Sequence, residues 1–345
     1  HYFGWEHRLE RIGIVQDEAL AGALGILPNE LPPVAIIGTS DLRKTRQKYD
    51  EFSFRIGTLD GGVARQYLQD IADAAGVTTV EYPDTRDPLL SFLLQLPQAG
   101  NRRMHCFAIG LGKVHVAGER PDGLLHHYQS TDALIAMCGR LGPTLPKQGP
   151  ALPPPRVAPH EVQSLGALMQ RRRSHRLFAE RPMSAAVLHS LAALGQDAAL
   201  RRDSSSGLVL PMTLWLLVQR AQDLAPGIYR WDHAAEGLQM QRPGLGHADL
   251  IGIMQQHGYA EAPLTCIVTG DFGDALQRYG PRGYREISSR AGSMLARIQL
   301  AGLSWDVVGS MWGGVAEESA GRLLGIDRYR QCPLFAASFG YASDG

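Results

Sequence analysis

The sequence predicts an α+β fold made of two related units in tandem, the first of them incomplete. Three observations predict it: an internal repeat, a proline-rich stretch that divides the chain, and a succession of amphipathic helical segments and short apolar strand-like runs. The repeat is the most specific. Setting Pro33 against Pro263 aligns residues 32–62 with 262–292 without a gap. Pro33/Pro263, Ile37/Ile267, Thr39/Thr269, Asp41/Asp271, Gln47/Gln277, Tyr49/Tyr279, Arg55/Arg285 and Gly62/Gly292 are then identical. Chance supplies about two such matches. The strand-like PPVAIIGTSD matches APLTCIVTGD. Each is followed by a polar turn with a basic residue and a tyrosine, then by a helix opening near the shared glycine.

The division falls at 141–160, LGPTLPKQGPALPPPRVAPH, where seven prolines fix φ and remove donors. An extended, semi-rigid connector is expected there, between a partial unit at 1–140 and a complete one at 161–345. In the second unit the periodicity predicts helices over 162–172 and 185–195, strands over 210–219 and 228–231, and a helix over 249–256. It continues with a strand over 264–269, a long helix over 289–304, a short helix over 317–324 and a last strand over 334–338. Helices bracketing a mainly antiparallel sheet make this α+β. The first unit opens on the strand-like HYFGWEHRL, the counterpart of the strand near Tyr229, so the front half of that unit is expected to be missing.

Composition narrows the partners. Thirty-four basic residues balance thirty-four acidic ones among 345, with no long run of either sign, which removes the electrostatic footprint of a nucleic-acid binder. No apolar stretch reaches the roughly 18 residues a membrane span needs, and no signal pattern opens the chain, so a soluble, cytoplasmic protein is expected. Cys106, Cys138, Cys266 and Cys332 are scattered, without a C-x-x-C pair or histidine at zinc spacing. They point to free thiols and no metal. The adjacent His126 and His127 point to opposite sides of an extended chain and make poor co-ligands. No G-x-G-x-x-G follows a first strand, and no P-loop is present.

The sharpest local signal is Arg171-Arg172-Arg173-Ser174-His175-Arg176-Leu177-Phe178, read as an arginine-rich helix start. Guanidinium groups separated by a hydroxyl over a single turn can converge on one phosphate. In isolation such a string also suits a solvated basic helix end. Its setting is more informative: RRSHRLF, then Ser205-Ser206-Gly207 ahead of a strand, then APGIYRWD, then RYGPRGYR before a helix. This order resembles nitroreductase-fold flavoproteins, and more closely the SagB-type and McbC-like dehydrogenases that turn thiazolines and oxazolines into thiazoles and oxazoles in ribosomal peptides and related pathways. The resemblance covers nearly all of 165–342, and residues 2–112 resemble the back half of the same fold.

The resemblance implies one FMN per chain in a pseudo-dimer formed within the chain, compatible with a further homodimer. It assigns Arg172, Ser174 and Arg176, with Arg173 among them, to the flavin phosphate. Ser205, Ser206 and Gly207 would form a turn along the ring, and Gly313 and Gly314 a strand end touching it. For catalysis it points to a Lys-Tyr pair, matched by Lys48-Tyr49 and by Arg278-Tyr279. A desolvated lysine can act as a base where arginine stays protonated, so Lys48 and Tyr49 are favoured, with Tyr279 as a further candidate. The implied substrate is a peptide or carrier-bound peptidyl azoline, delivered with a cyclodehydratase or an assembly-line partner. An NAD(P)H-dependent nitro or quinone reductase and a non-catalytic, partner-binding pseudoenzyme are the alternatives.

Overall fold

Period-two apolar runs become strands wherever a helix can cover them, and among the described residues they build two main sheets and two two-stranded ribbons. The computed structural model describes residues 1–3, 6–96, 103–112, 151–152, 164–200, 212–232 and 235–343. Ser205, Ser206, Gly207, His126, His127 and Cys138 lie outside the described residues, as does most of the proline-rich stretch.

The first lobe contains β1 (Tyr2–Phe3), β2 (Arg8–Leu9), α1 (Asp17–Leu24), β3 (Val34–Asp41), α2 (Leu42–Tyr49), α3 (Ser53–Ala74), β4 (Thr79–Glu81), α4 (Asp87–Leu93) and β5 (Arg103–Leu111). Its sheet runs β3-β5-β4, and β1 and β2 pair only with each other. β6 (Ala151–Leu152) falls inside the expected connector and pairs with β11, so the connector contributes a short strand to the second sheet.

The second lobe continues with α5 (Leu165–Arg171), β7 (Met183–Ser184), α6 (Ala185–Leu200), β8 (Met212–Val218), β9 (Ala221–Gln222), β10 (Gly227–Asp232), β11 (Gly237–Pro243) and α7 (His247–Ile251). It ends with β12 (Leu264–Asp271), α8 (Phe272–Tyr279), α9 (Gly283–Gly302), β13 (Val307–Trp312), α10 (Glu317–Leu324) and β14 (Gln331–Tyr341). Its main sheet, β13-β14-β12-β8-β10-β11-β6, is antiparallel throughout. The fold is the predicted α+β arrangement. Trp215 and Tyr229 are wholly buried, and the Trp215 indole donates to Thr269 Oγ1 at 3.0 Å, so its polar edge is satisfied inside the core.

Three local expectations are corrected. The polar segments after the paired strands are helices, α2 and α8, not turns. Asp41 and Asp271 cap them by accepting from the backbone N–H of Arg43 and Asp274, the N-cap role that a turn-like Asp disguises. The long helix starts at Gly283, six residues before its predicted start, because Pro281 sits in a first turn where its missing N–H costs nothing. The first helix of the second lobe ends at Arg171, and residues 172–178 are extended.

The repeat carries into three dimensions. β3, α2 and α4 start 230 positions before β12, α8 and α10, and the bulge between Gly38 and Thr39 recurs between Val268 and Thr269. α3 and α9 make the principal contact between the lobes. A methyl on Gly62 would lie 2.6 Å from the carbonyl carbon of Ser289, and one on Gly292 would lie 3.1 Å from that of Leu59. Ser289 and Leu59 are themselves 230 positions apart, so the contact is reciprocal, as a two-fold axis produces. The same reciprocity governs charge. Arg55 pairs with Glu317 across the junction, and Arg285 pairs with Asp87 at 2.8 Å.

A cleft edge between the lobes

The segment carrying the arginines is positioned by a strand edge. α5 begins at Ser164, whose hydroxyl accepts from the backbone N–H of Ala167, and it ends where Arg172 takes ψ 121°. From there the chain lies along β13: Ser174 pairs with Gly309, and the His175 N–H donates to the Gly309 carbonyl at 3.1 Å. Further on, Phe178 pairs with Ala342. The side chains therefore do not share a helical turn. In an extended chain alternate residues share one side, which groups Arg172, Ser174 and Arg176 and sets Arg173 apart. Arg173 folds back, donating Nη1 to the carbonyls of Gln170 and Arg172 at 2.8 and 3.0 Å. It closes the helix end, as basic residues at a C-terminus do, and leaves the row.

Arg176 Nε donates to the Tyr259 hydroxyl at 3.2 Å. Tyr259 is in turn 3.2 Å from Ser310 Oγ and stacks on Trp312, with ring centroids 6.0 Å apart and planes at 10°. The same Gly309 carbonyl also accepts from Gln299 at 3.0 Å, and Gln299 accepts from the Tyr67 phenol at 3.3 Å. Burial pushes the Tyr67 phenol up in pKa, opposed by the charge of Arg172. Ser174 and Arg176 are exposed, and Arg172 is half-buried. Neither Arg172 nor Arg176 has a carboxylate partner among the described residues, whereas Arg171 pairs with Asp306 at 3.2 Å. Two uncompensated guanidinium groups flanking a hydroxyl form a donor set for an anion such as a phosphate.

Beyond β13 lie Gly313 and Gly314. A methyl on Gly313 would meet Ile56 Cδ1 at 2.6 Å and Phe52 Cε1 at 3.4 Å. One on Gly314 would meet Gln255 Oε1 at 2.8 Å. The glycines thus admit both the first lobe and Gln255 close to bare backbone. Arg55 holds this edge: it pairs with Glu317, donates to the Leu334 carbonyl at 2.9 Å, and lies 5.3 Å from the centre of the Phe52 ring. Phe52, Ile56, Tyr67, Gln255, Tyr259 and Gln299 escaped the sequence reading: docking of the lobes brings Phe52, Ile56 and Tyr67 to this edge, and the tertiary fold of the second lobe brings Gln255, Tyr259 and Gln299.

Lys48 and Tyr49 sit on the exposed end of α2, a few residues before Phe52, with the ammonium 5.1 Å from the Tyr49 ring centre. Both side chains are exposed to solvent. Tyr279 is different. It is 5% exposed and belongs to the main apolar core. Arg278 pairs with Asp274 at 2.5 Å. Among the described residues no three His, Cys, Asp or Glu side chains gather to hold a metal, and no helix is long and apolar enough to cross a membrane.

The model of the nitroreductase family matches residues 169–341. The chain belongs to the nitroreductase family. A protein assigned as a nitroreductase from Anabaena variabilis shares the fold with a TM-score of 0.75 at 18% identity, over 95% of this chain and 73% of that one. Two further solved structures overlap part of this nitroreductase-family chain. The Escherichia coli microcin synthetase McbBCD, with truncated pro-MccB17 bound, has a TM-score of 0.43 at 15% identity over 66% of this chain and 99% of that one. A protein from Desulfovibrio desulfuricans, assigned as a nitroreductase and solved in complex with FMN, has a TM-score of 0.37 at 13% identity over 53% and 89%. No curated protein sequence matches.

Proposed function

We propose that this nitroreductase-family chain is an FMN-dependent dehydrogenase that oxidises azolines to azoles, or a related C–N or C–C unit, in a peptide natural-product precursor. The observation that carries the flavin reading is the row Arg172, Ser174 and Arg176. It lies along β13 without carboxylate partners among the described residues, one strand length from the half-exposed Gly313 and Gly314. The residues fit the cofactor: arginines and serine for a phosphate, bare glycine backbone for a ring. We read residues 1–140 as a partial nitroreductase-like unit, 141–160 as a connector and 161–345 as the complete FMN-binding unit. Cys106, Cys266 and Cys332 are free thiols, which agrees with a cytoplasmic setting.

Aromatising an azoline removes a proton and a hydride from adjacent ring atoms. Bound FMN supplies the two-electron acceptor, with molecular oxygen as the final oxidant. In this reading Lys48 takes the proton at Nζ and Tyr49 orients the ring by hydrogen bonding. Both are solvent-exposed in the protein itself, so the desolvation that leaves a lysine neutral and able to accept a proton comes from the bound peptide. A peptide or carrier-bound substrate, presented with a cyclodehydratase or an assembly-line partner, is large enough to do this.

The test is an absorbance spectrum of the purified protein after reconstitution, followed by assay of Lys48→Ala on a thiazoline peptide. The variant should keep its flavin spectrum and lose about 10²-fold or more in kcat, the scale of one general base. Absence of flavin sinks the enzyme reading and leaves the pseudoenzyme. The family membership by itself favours a second reading, an NAD(P)H-dependent nitro or quinone reductase. Bleaching by NAD(P)H and turnover with a nitroarene or quinone would select it.

A further inference from the structure

We infer that the chain offers flavin a single position, because the counterpart position across its internal two-fold is sealed by Pro83, Arg282 and the ion pairs around Asp87. This rests on the flavin reading above. The reciprocity of α3 with α9, and of Arg55–Glu317 with Arg285–Asp87, identifies the counterparts. Pro83 stands for Gly313, Arg282 for Phe52, Asp87 for Glu317, Glu81 for Met311 and Arg65 for Leu295.

The two positions have diverged in kind. Gly313 is half-exposed and presents bare backbone; Pro83 is buried, carries a ring where the other side has a hydrogen, and has no N–H to offer. Arg282 reaches across the junction, donates Nη1 to the Pro83 carbonyl at 3.1 Å and pairs with Asp87 at 3.1 Å. Arg285 also pairs with Asp87, and His105 Nε2 lies 3.3 Å from it and 2.7 Å from Thr85 Oγ1. Along β4, where the other side has the apolar Met311 and Leu295, Glu81 pairs with Arg65 at 3.4 Å and Arg290 at 3.2 Å.

A cavity there, bordered by Glu81, Tyr82, Pro83, His105 and Arg285, measures about 10 Å³. That is about one water. Admitting an isoalloxazine ring there means separating the half-exposed pairs at Asp87 and the buried pairs of Glu81 with Arg65 and Arg290, and the latter would leave charges uncompensated in the interior. The sealed position instead ties the lobes together.

Counting flavin tests this. After incubation with excess FMN, gel filtration and denaturation, about one FMN per chain is expected. About two overturns the inference and leaves the flavin reading standing; none overturns both. Arg172→Ala combined with Arg176→Ala should lower the count at least tenfold, whereas a retained equivalent places flavin elsewhere and refutes the assignment. Asp87→Asn should melt at a lower temperature yet keep its one FMN. Loss of FMN from that variant while its circular dichroism stays native would show that the sealed side binds cofactor and refute the inference.

Discussion

Replacing Gly62 with alanine probes the contact on which the arrangement of the lobes depends. The new methyl would sit 2.6 Å from the carbonyl carbon and 2.9 Å from the Cα of Ser289, both backbone atoms inside α9 that cannot swing away. The nearest atom is the Ser289 carbonyl oxygen, which the methyl would overlap outright, so restoring ordinary contact parts the helices by more than about 1 Å and forfeits about half or more of each dispersion contact along the crossing. Overpacking of this kind costs about 1–3 kcal/mol, and the repulsive contact is with main chain, which puts it at the upper end. Alanine returns up to about 1 kcal/mol through helix propensity. A net loss of about 2 kcal/mol remains, or roughly 3 °C in Tm for a chain of 345 residues. Gly166→Ala is the internal control, since its methyl meets nothing within 4 Å and only the propensity gain applies. The Gly62→Ala, Gly292→Ala double variant should lose less than the sum of the singles, because the helices need part only once. Thermal unfolding followed by circular dichroism reads all four proteins. If Gly62→Ala melts at or above the parent alongside Gly166→Ala, the reciprocal crossing is wrong.

Two further outcomes follow from the buried groups. Burial, reinforced by Arg285 and Arg282 and opposed by Asp87, lowers the His105 pKa to about 3. Between about pH 6.5 and that value the unfolded chain therefore holds a proton that the native chain does not, and stability falls with falling pH by about 1.4 kcal/mol per unit. His105→Gln should flatten the dependence of unfolding free energy on pH between 4 and 6 by about one proton, and an unchanged slope contradicts the assignment. The thiols test burial from another direction. Burial pushes Cys106 to about 12 and Cys332 to about 11, and raises Cys266 as well, so little thiolate exists at pH 8. Peptide mapping after iodoacetamide should find these three modified only on unfolding; rapid native labelling at Cys266 would show that the core is open.

Local chemistry made much of this protein legible before any coordinates. The repeat registered Pro33 with Pro263 and Gly62 with Gly292 because strand pattern and close helix contact leave residue-level marks, and the α+β class follows from the helix and strand periods. The arginine row was visible as composition but wrong as geometry. Whether Arg172, Ser174 and Arg176 converge depends on the chain leaving its helix at Arg172, and that is decided by a strand edge at Gly309, far away in sequence. The two tyrosines of the repeat make the same point. Tyr49 and Tyr279 are identical in the alignment, yet one stands 38% exposed on a helix with no buried residue and the other 5% exposed in the core. Propensity and spacing are properties of a segment, so sequence determined the elements and their kinship. Burial, charge compensation and the meeting of Phe52 and Ile56 with Gly313 belong to surfaces created when the lobes dock, and only the tertiary structure could decide them.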